Sequence, residues 1–256
     1  MPDYRTVLAL LALHAIATPT RGQDLAARDS TLVIEINVPA FRLDVLADTQ
    51  VIRSFAIAVG MRRYPTPTGD FAISDVHWNP WWNPPDSPWA EKDTLTPPGP
   101  SNPMGKVKLP LGSLLFVHGT PLSESIGKAA SHACIRMRNT DAIALARLVQ
   151  ASGGATISDT TLDSLLKRWE PSRRVALPHA VPVRIVYQLV ERRADELVFH
   201  PDLYRRGRDS VITSAMALVA AAGYDTVRVD RARLERAASD GARSRTTIEI
   251  RQLISP

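Results

Sequence analysis

The sequence predicts a mainly β domain with a few helices, on the evidence of its strand patterning, its sparse helical spacing and its length. Residues 31–60 alternate apolar and polar side chains in three runs, which is typical of half-buried strands. Apolar side chains recur with helical spacing over only a few short stretches. The 256 residues suit one large domain, or one domain with an appendage, and they are enough to bury a hydrophobic core.

The individual elements follow from local patterns. The strands predicted from alternating or buried apolar runs cover residues 32–36, 41–46, 51–59, 71–73, 114–117, 183–190, 197–199 and 246–250. The helices predicted from 3.6-residue spacing and capping residues cover residues 141–149, 160–169, 210–222 and 231–238. We expect the strand at 197–199 to be the hairpin partner of the strand at 183–190. The last 52 residues, 205–256, are therefore expected to form an α+β extension.

A long segment rich in proline and tryptophan interrupts the strand pattern between residues 77 and 105. Eleven of the 20 prolines lie between residues 65 and 110, and four of the five tryptophans lie between Trp78 and Trp89. A loop of this length inside a domain is usually a lid or a binding loop. The alternative is that the tryptophans pack over an edge of the core, because large aromatic side chains dominate core packing.

The formal net charge of +5 is spread along the chain rather than gathered in one basic stretch. Residues 191–251 contain 12 arginines but also 10 acidic residues, which is typical of an ordinary solvated surface. We therefore predict no nucleic-acid partner. Mild basicity would suit an anionic environment such as a cell wall.

Residues 1–22 have the pattern of a secretory signal peptide. Arg5 is followed by an apolar run to Ala17 that is too short to span a bilayer, and small residues suitable for cleavage lie beside it. The alternative is a short helix docked on the domain. A signal peptide predicts export to the periplasm or the cell wall. Export makes the single cysteine, Cys134, informative, because it cannot pair within the chain.

Cys134 lies close in sequence to two histidines, His118 and His132. A cysteine nucleophile needs a lowered pKa or an adjacent base, and an imidazole supplies either. His118 ends a predicted buried strand. Cys134 follows a predicted turn and precedes a predicted helix start, whose backbone N–H groups would favour a thiolate and hold an oxyanion. This stretch can therefore supply a nucleophile, a base and oxyanion donors.

Two other interpretations of this stretch remain open. Cys134 would be an inert buried thiol, or His118, His132 and Cys134 would bind a metal ion. The spacing of two residues between His132 and Cys134 strains simultaneous coordination, and no fourth ligand is evident. We therefore predict no metal and no other cofactor.

The same stretch resembles the signature of the L,D-transpeptidase (YkuD-like) family of bacterial cell-wall enzymes. The strings that carry the resemblance are HGT at 118–120, SIG at 125–127 and SHACIRM at 131–137, with VG at 59–60, PTPTGDF at 65–71, NPWWNPP at 79–85, PGPSNPMG at 98–105 and FHPDLY at 199–204. The resemblance implies a mainly β, sandwich- or barrel-like catalytic domain over residues 31–204. It leaves residues 205–256 as an extension of unknown role.

The resemblance implies a covalent mechanism. Cys134 would attack the carbonyl of the L-centre of the third stem-peptide residue, so that the terminal D-Ala leaves and a thioester remains. His118 would be the general base, with its tautomer held by the carbonyl of Gly119. The side-chain amine of a diamino acid in a neighbouring stem would then give a 3–3 crosslink between peptidoglycan stem peptides. Carbapenem-type inhibitors are expected to acylate the same thiol.

The resemblance also assigns the residues around the nucleophile. The backbone N–H groups of Ala133 and Cys134 would form the oxyanion hole, and Ser131 and His132 would shape the pocket. Arg136 would hold a substrate carboxylate or take part in a structural ion pair. The lid over the stem peptide would be formed by Trp78, Trp81 and Trp82.

Ala133 stands where the family usually has glycine. If this position needs a positive φ, alanine costs about 1 kcal/mol or more, whereas a negative φ makes the change nearly neutral. Two alternatives to transpeptidation stay open. One is an L,D-carboxypeptidase or wall-protein amidase on the same scaffold, in which water resolves the thioester. The other is a non-catalytic wall-binding module that lost turnover through Ala133.

Overall fold

The computed structural model describes residues 32–169, 171–207 and 210–255. The predicted signal peptide, residues 1–22, lies outside this part of the chain. None of the helices in the described ranges combines the length and the apolar character of a membrane span.

The described ranges contain thirteen strands and four α-helices. The strands are β1 (Leu32–Asn37), β2 (Arg42–Ala47), β3 (Gln50–Ala56), β4 (Val59–Gly60), β5 (Gly69–Trp78), β6 (Val107–Pro110), β7 (Phe116–Thr120), β8 (Ala129–Ser131), β9 (Ile135–Arg138), β10 (Arg173–Val186), β11 (Val190–Arg193), β12 (Glu196–Phe199) and β13 (Thr246–Glu249). The helices are α1 (Asn139–Ser152), α2 (Asp159–Lys167), α3 (Val211–Ala221) and α4 (Arg231–Gly241).

Eight strands form one large sheet in the order β3-β2-β1-β10-β5-β6-β7-β9. Its two outer strands approach each other, because Ala58, just beyond β3, and Arg136 in β9 exchange two backbone hydrogen bonds of 2.8 and 2.9 Å. This bridge nearly closes the sheet. The short parallel pair β4 and β8 lies beside the bridge. The expected mainly β, barrel-like fold is confirmed.

The main core lies against the large sheet. Ile34 and Ile36 of β1 and Leu43 of β2 are fully buried, because alternate side chains of a strand point to the same face. Helix α1 packs on the sheet through Leu145 and Val149, which are spaced one turn apart and are also fully buried. Each such side chain contributes about 1.5–3 kcal/mol when it leaves water.

A second core belongs to the C-terminal part of the chain. Strands β11, β12 and β13 form a separate antiparallel sheet, and α3 and α4 pack on it around Phe199, Val219 and Leu234. This core begins at Val190, so it includes two strands that precede residue 205. Tyr204, in contrast, packs into the main core. The two cores therefore interleave along the sequence between residues 190 and 210, and the domain limits at 204 and 205 stay predictions.

The predicted hairpin of residues 183–190 with 197–199 is wrong. The strand β10 runs from Arg173 to Val186 and pairs with β1 on one side and with β5 on the other. Both edges of β10 are occupied, so it cannot take a hairpin partner. β12 instead pairs with the four-residue strand β11.

The prediction that a helix start near Cys134 would favour the thiolate is wrong, because a strand separates the two. The next four residues form β9, in which Ile135 and Met137 are buried in the core, while Arg136 is half-buried and Arg138 is exposed. That alternation suits a strand, and β9 completes the sheet beside β7. Helix α1 begins only at Asn139, so its N-terminal dipole, which acts over one turn, is displaced from the thiol by a whole strand.

Candidate active site

A row of basic side chains crosses four neighbouring strands of the large sheet and ends at Arg136, the residue that bridges to Ala58. Successive pairings of β5, β6, β7 and β9 place directly next to one another His77, Lys108, His118 and Arg136. Side chains at paired positions share one face of a sheet. Cys134 lies two residues before Arg136, at the entrance to β9. The sheet register therefore brings the candidate nucleophile and the candidate base to one place.

These side chains line a single cleft of about 1140 Å³. Cys134, His118, Arg136 and Lys108 line this cleft, and so do residues of the segment between β5 and β6. Arg136 and Lys108 are half-buried, and neither belongs to an ion pair within the described ranges. The cleft therefore presents two cations that are available to an anionic ligand.

His118 is held in one tautomer inside the sheet. Its ring is buried, and Nδ1 lies 2.7 Å from the carbonyl oxygen of Gly119. A carbonyl oxygen can only accept, so Nδ1 carries the proton and Nε2 keeps its lone pair. Burial lowers the pKa of His118 to about 4, assisted by the positive charges of Arg136 and Lys108. At neutral pH this imidazole is uncharged and can act as a base.

Cys134 is a neutral thiol at rest. Burial raises its pKa above the usual value, and a hydrogen bond from the Phe116 backbone with the charges of Arg136 and Lys108 opposes that rise. The Sγ atom donates to the carbonyl oxygen of Leu114 at 3.5 Å. The resting site is thus an uncharged thiol with an uncharged imidazole, and the two cations favour the thiolate once it forms.

The turn that carries Cys134 has a strained backbone. Ala133 has a φ of 76°, the left-handed conformation that favours glycine. The backbone N–H groups of Ala133 and Cys134 donate to no acceptor within the described ranges. The buried hydroxyl of Ser131 donates to the carbonyl oxygen of Cys134, which pins the far side of the turn. Two adjacent backbone donors at the cysteine therefore remain unused.

Comparison with known proteins identifies the family. The family model of the L,D-transpeptidase catalytic domain (YkuD) matches residues 31–185, which is more than half of the chain. The chain belongs to this family. The Bacillus subtilis protein described as "Putative L,D-transpeptidase YkuD" is 32% identical over 126 residues, which cover 49% of this chain and 65% of that relative. The chain therefore spans just under two thirds of that relative's length.

Solved L,D-transpeptidases share less with this chain. The enzyme from Mycobacterium smegmatis has 16% identity and a TM-score of 0.42, and the alignment covers 61% of this chain and 59% of the other. The structure described as LD transpeptidase LdtMt1 in complex with imipenem has 17% identity and a TM-score of 0.38, with 61% and 59% covered.

The tryptophans of this L,D-transpeptidase domain separate into three environments. Trp78, which was predicted to be part of the lid, is buried in the core at the end of β5, where Nε1 donates to Gln150 at 2.7 Å. Trp81 is exposed and does not line the cleft. Trp82 does line it. The lid prediction is therefore wrong for Trp78, since the β5 strand extends five residues further than the sequence pattern indicated.

Trp89 is the cleft tryptophan that the sequence prediction omitted. Its ring stacks on His132 with centroids 4.0 Å apart and planes 6° apart, and Trp82 stacks behind it at 6.3 Å. His132 also contacts the ring of Tyr64 at 4.7 Å. At the predicted pocket residue His132, the loop between β5 and β6 therefore contacts the turn that carries Cys134. Its sequence signal was weak, because Trp89 is one of four clustered tryptophans with no periodic pattern.

The remaining predicted pocket residues lie at the cleft or directly behind it. Gly119 follows His118 in β7, and an added Cβ there would lie 2.3 Å from the side-chain oxygen of Asn139. Asn139 holds the backbone of Lys106 at 2.8 Å, so the glycine allows β7 and the start of α1 to approach closely. Within the described ranges, no group of three or more metal-ligating side chains is close enough to hold an ion.

Proposed function

We propose that the chain is an exported peptidoglycan L,D-transpeptidase that forms 3–3 crosslinks through a thioester on Cys134. The observation that carries this proposal is the register of β7 and β9, which pairs His118 with Arg136, two residues after Cys134, so that all three side chains line one cleft. Family membership supplies the reaction class. Export rests on the sequence pattern of residues 1–22, which lie outside the described ranges.

The first half-reaction follows from the protonation states. His118 Nε2 takes the proton of the Cys134 thiol as Sγ attacks the carbonyl of the third stem residue. The carbonyl oxygen becomes an oxyanion, which the backbone N–H groups of Ala133 and Cys134 receive. The C–N bond to the terminal D-Ala then breaks, and the leaving amine takes the proton from His118. A thioester remains on Cys134, and the imidazole is neutral again.

In the second half-reaction an amine is the nucleophile, and the thiolate of Cys134 is the leaving group. The side-chain amine of a diamino acid in a neighbouring stem attacks the thioester carbonyl while Nε2 of His118 takes its proton. The C–S bond breaks, and the thiolate recovers the proton from the imidazolium. Because the base is uncharged before each step, the cycle begins and ends with the same resting pair.

The two free cations point to the charge of the substrate. Arg136 and Lys108 flank His118 in the cross-strand row and have no carboxylate partner within the described ranges. A guanidinium matches a carboxylate geometrically, and stem peptides carry carboxylates. We assign Arg136 to the binding of a substrate carboxylate, with Lys108 beside it. The loop with Trp82 and Trp89 covers the stem peptide.

The function is tested with a tetrapeptide stem as donor and a diamino-acid stem as acceptor. The proposal predicts a crosslinked product with loss of one D-Ala, and none with Cys134→Ala. Release of the tripeptide without crosslinking would instead identify an L,D-carboxypeptidase. Retention of wall binding by both proteins, with no turnover by either, would identify a binding module. Carbapenems are expected to acylate Cys134 in the same way as the donor.

A further inference from the structure

A closed ring of buried hydrogen bonds lies behind the turn that carries Cys134. The Thr66 hydroxyl donates to the carbonyl oxygen of Ala133 at 2.7 Å and accepts the backbone N–H of Gly60 at 2.8 Å. The Tyr204 hydroxyl accepts the backbone N–H of Thr66 at 3.1 Å and donates to the carbonyl oxygen of Gly60 at 2.7 Å. Thr66 is fully buried, and Tyr204 is 8% exposed.

The ring has no room to relax. A Cβ added to Gly60 would lie 2.2 Å from the carbonyl oxygen of Tyr64, 2.6 Å from the nitrogen of Thr66 and 3.0 Å from the Cα of Ala133. The strand β4, the Thr66 loop and the cysteine turn are therefore in direct backbone contact. A shift of any one of them moves the others.

Tyr204 is itself fixed from the C-terminal side. Its backbone N–H donates to the hydroxyl of Tyr187 at 2.7 Å, and that hydroxyl donates to Asp202 at 2.8 Å. The two tyrosine rings stack with centroids 5.3 Å apart, and the guanidinium of Arg206 lies over both. Tyr204 also lies beyond residues 31–185, the part of the chain that matches the family.

We propose that Tyr204 is a positioning residue that acts through Thr66 on the peptide joining Ala133 to Cys134. The C=O and N–H of a trans peptide point in opposite directions. Holding the Ala133 carbonyl on Thr66 therefore aims the Cys134 N–H away from Thr66, where no acceptor of the described ranges takes it. The strained φ of Ala133 persists because the ring over-determines it. The catalytic meaning of this role rests on the proposed function.

The variant that tests the role is Tyr204→Phe, which keeps the ring and removes both hydroxyl bonds. The matched control is Tyr224→Phe, the same substitution on a tyrosine that packs on the second core. Thr66→Val removes the hydroxyl next to Ala133, and Thr66→Ser is the conservative variant that keeps it. Correct folding of each variant is checked by circular dichroism.

Two reactions of Cys134 separate positioning from general damage. Acylation by a carbapenem develops an oxyanion, whereas alkylation by iodoacetamide does not. At saturating carbapenem we expect Tyr204→Phe and Thr66→Val to acylate about 10-fold more slowly or worse, since a misplaced oxyanion donor costs at least that much. Alkylation should stay within about twofold of wild type, and Thr66→Ser and Tyr224→Phe should acylate normally. Unchanged acylation, or a parallel loss of alkylation, would overturn the proposal.

Hydrogen exchange of the Thr66 amide tests the ring without any activity. This amide donates to the Tyr204 hydroxyl, so Tyr204→Phe should speed its exchange and Tyr224→Phe should not. If the exchange rate of the Thr66 amide is unchanged in Tyr204→Phe, the ring of hydrogen bonds is contradicted, even if the enzyme is active. If no acyl donor modifies the wild-type protein, the proposed function is refuted. Hydrogen exchange would then still show whether the ring of hydrogen bonds exists, but the ring would have no catalytic role.

Discussion

The two cores of this molecule are packed in the same way, but the charged groups beside one core are paired and those beside the other are unpaired. Next to the second core, Glu191 accepts two hydrogen bonds from Arg42, at 2.9 and 3.1 Å, and contacts Asn37 and His200. Burial alone would raise the pKa of Glu191, but the nearby His200 ring, whose Nε2 lies 3.6 Å away, the charge of Arg42 and the hydrogen bond from Asn37 hold it at about 2.

Beside the main core, in contrast, the cleft keeps charged and reactive groups unpaired. Arg136 and Lys108 face the cleft without carboxylate partners in the described ranges, and the thiol of Cys134 and the imidazole of His118 are both held neutral. Charges that are already paired stabilise a structure, whereas unpaired groups in a cleft are free to meet a substrate. The proposed chemistry therefore lies at the cleft beside the large sheet, and not at the paired charges next to the second core.

The largest expected effect is on stability, and it tests whether the second core can be damaged without changing the reaction in the cleft. Phe199→Ala empties the centre of the second core, where the ring packs against Gly241 and is only 1% exposed. We expect a loss of about 3–5 kcal/mol in the free energy of unfolding, measured by urea denaturation. Acylation of the folded variant should stay at the wild-type rate. The exposed Val227→Ala is the control, and a large fall in the acylation rate of folded Phe199→Ala would break the separation.

The next effect concerns the buried imidazole in the main core. Because the pKa of His118 falls from 6.5 in the unfolded chain to about 4 in the fold, the unfolded state binds the extra proton between these values. Stability is therefore full above about pH 6.5 and declines as the pH falls towards 4, by up to about 3 kcal/mol. Urea titrations at pH 7 and pH 5 measure this decline. His118→Gln should remove most of it, and an equally steep decline in that variant would contradict the account.

A smaller effect sharpens the description of the cysteine turn. Ala133→Gly places the residue that tolerates a φ of 76° at the strained position. We expect it to raise the free energy of unfolding by about 1 kcal/mol, because a left-handed alanine carries roughly that strain. Ala144→Gly, in the middle of helix α1, is the matched control and should destabilise by about 1 kcal/mol. Destabilisation by Ala133→Gly would show that the turn does not hold this φ in solution.

The smallest effect concerns the loop that rests on His132. Trp89→Ala removes a stacked pair worth about 1 kcal/mol beyond its buried area. We expect the carbapenem concentration for half-maximal acylation to rise about fivefold, with a smaller change in the maximal rate. Trp81→Ala, on the exposed side of the same loop, should change neither. Equal effects of the two substitutions would mean that the loop does not cover the cleft through Trp89.

The sequence predicts those parts of the molecule whose structure depends on neighbouring residues in the chain. The strands β1 and β2 were predicted within a residue or two because Ile34, Ile36 and Leu43 alternate with polar neighbours. The motif strings predict Cys134 as the nucleophile and His118 as the base, and the structure places both side chains in the lining of one cleft. The local pattern and the family signature therefore predict the residues at the centre of the candidate site.

The unpredicted part depends on contacts between distant segments. The bridge from Ala58 to Arg136 and the ring through Tyr204 and Thr66 join residues 78 and 138 positions apart, which no local pattern records. The strand β9 was missed because four residues after a turn carry too little periodicity. The clustering of four tryptophans predicts Trp78 in the lid, but β5 extends into this cluster and ends at Trp78.

The most direct test of the central claim is the intact mass of the protein after incubation with a carbapenem. Wild type, Cys134→Ala and His118→Ala are compared at equal concentration and after verified folding. The account predicts addition of the drug's mass to wild type, no addition to Cys134→Ala, and acylation slowed about 10²-fold or more in His118→Ala. A folded wild-type protein that stays unmodified, or a Cys134→Ala variant that is acylated, would contradict it.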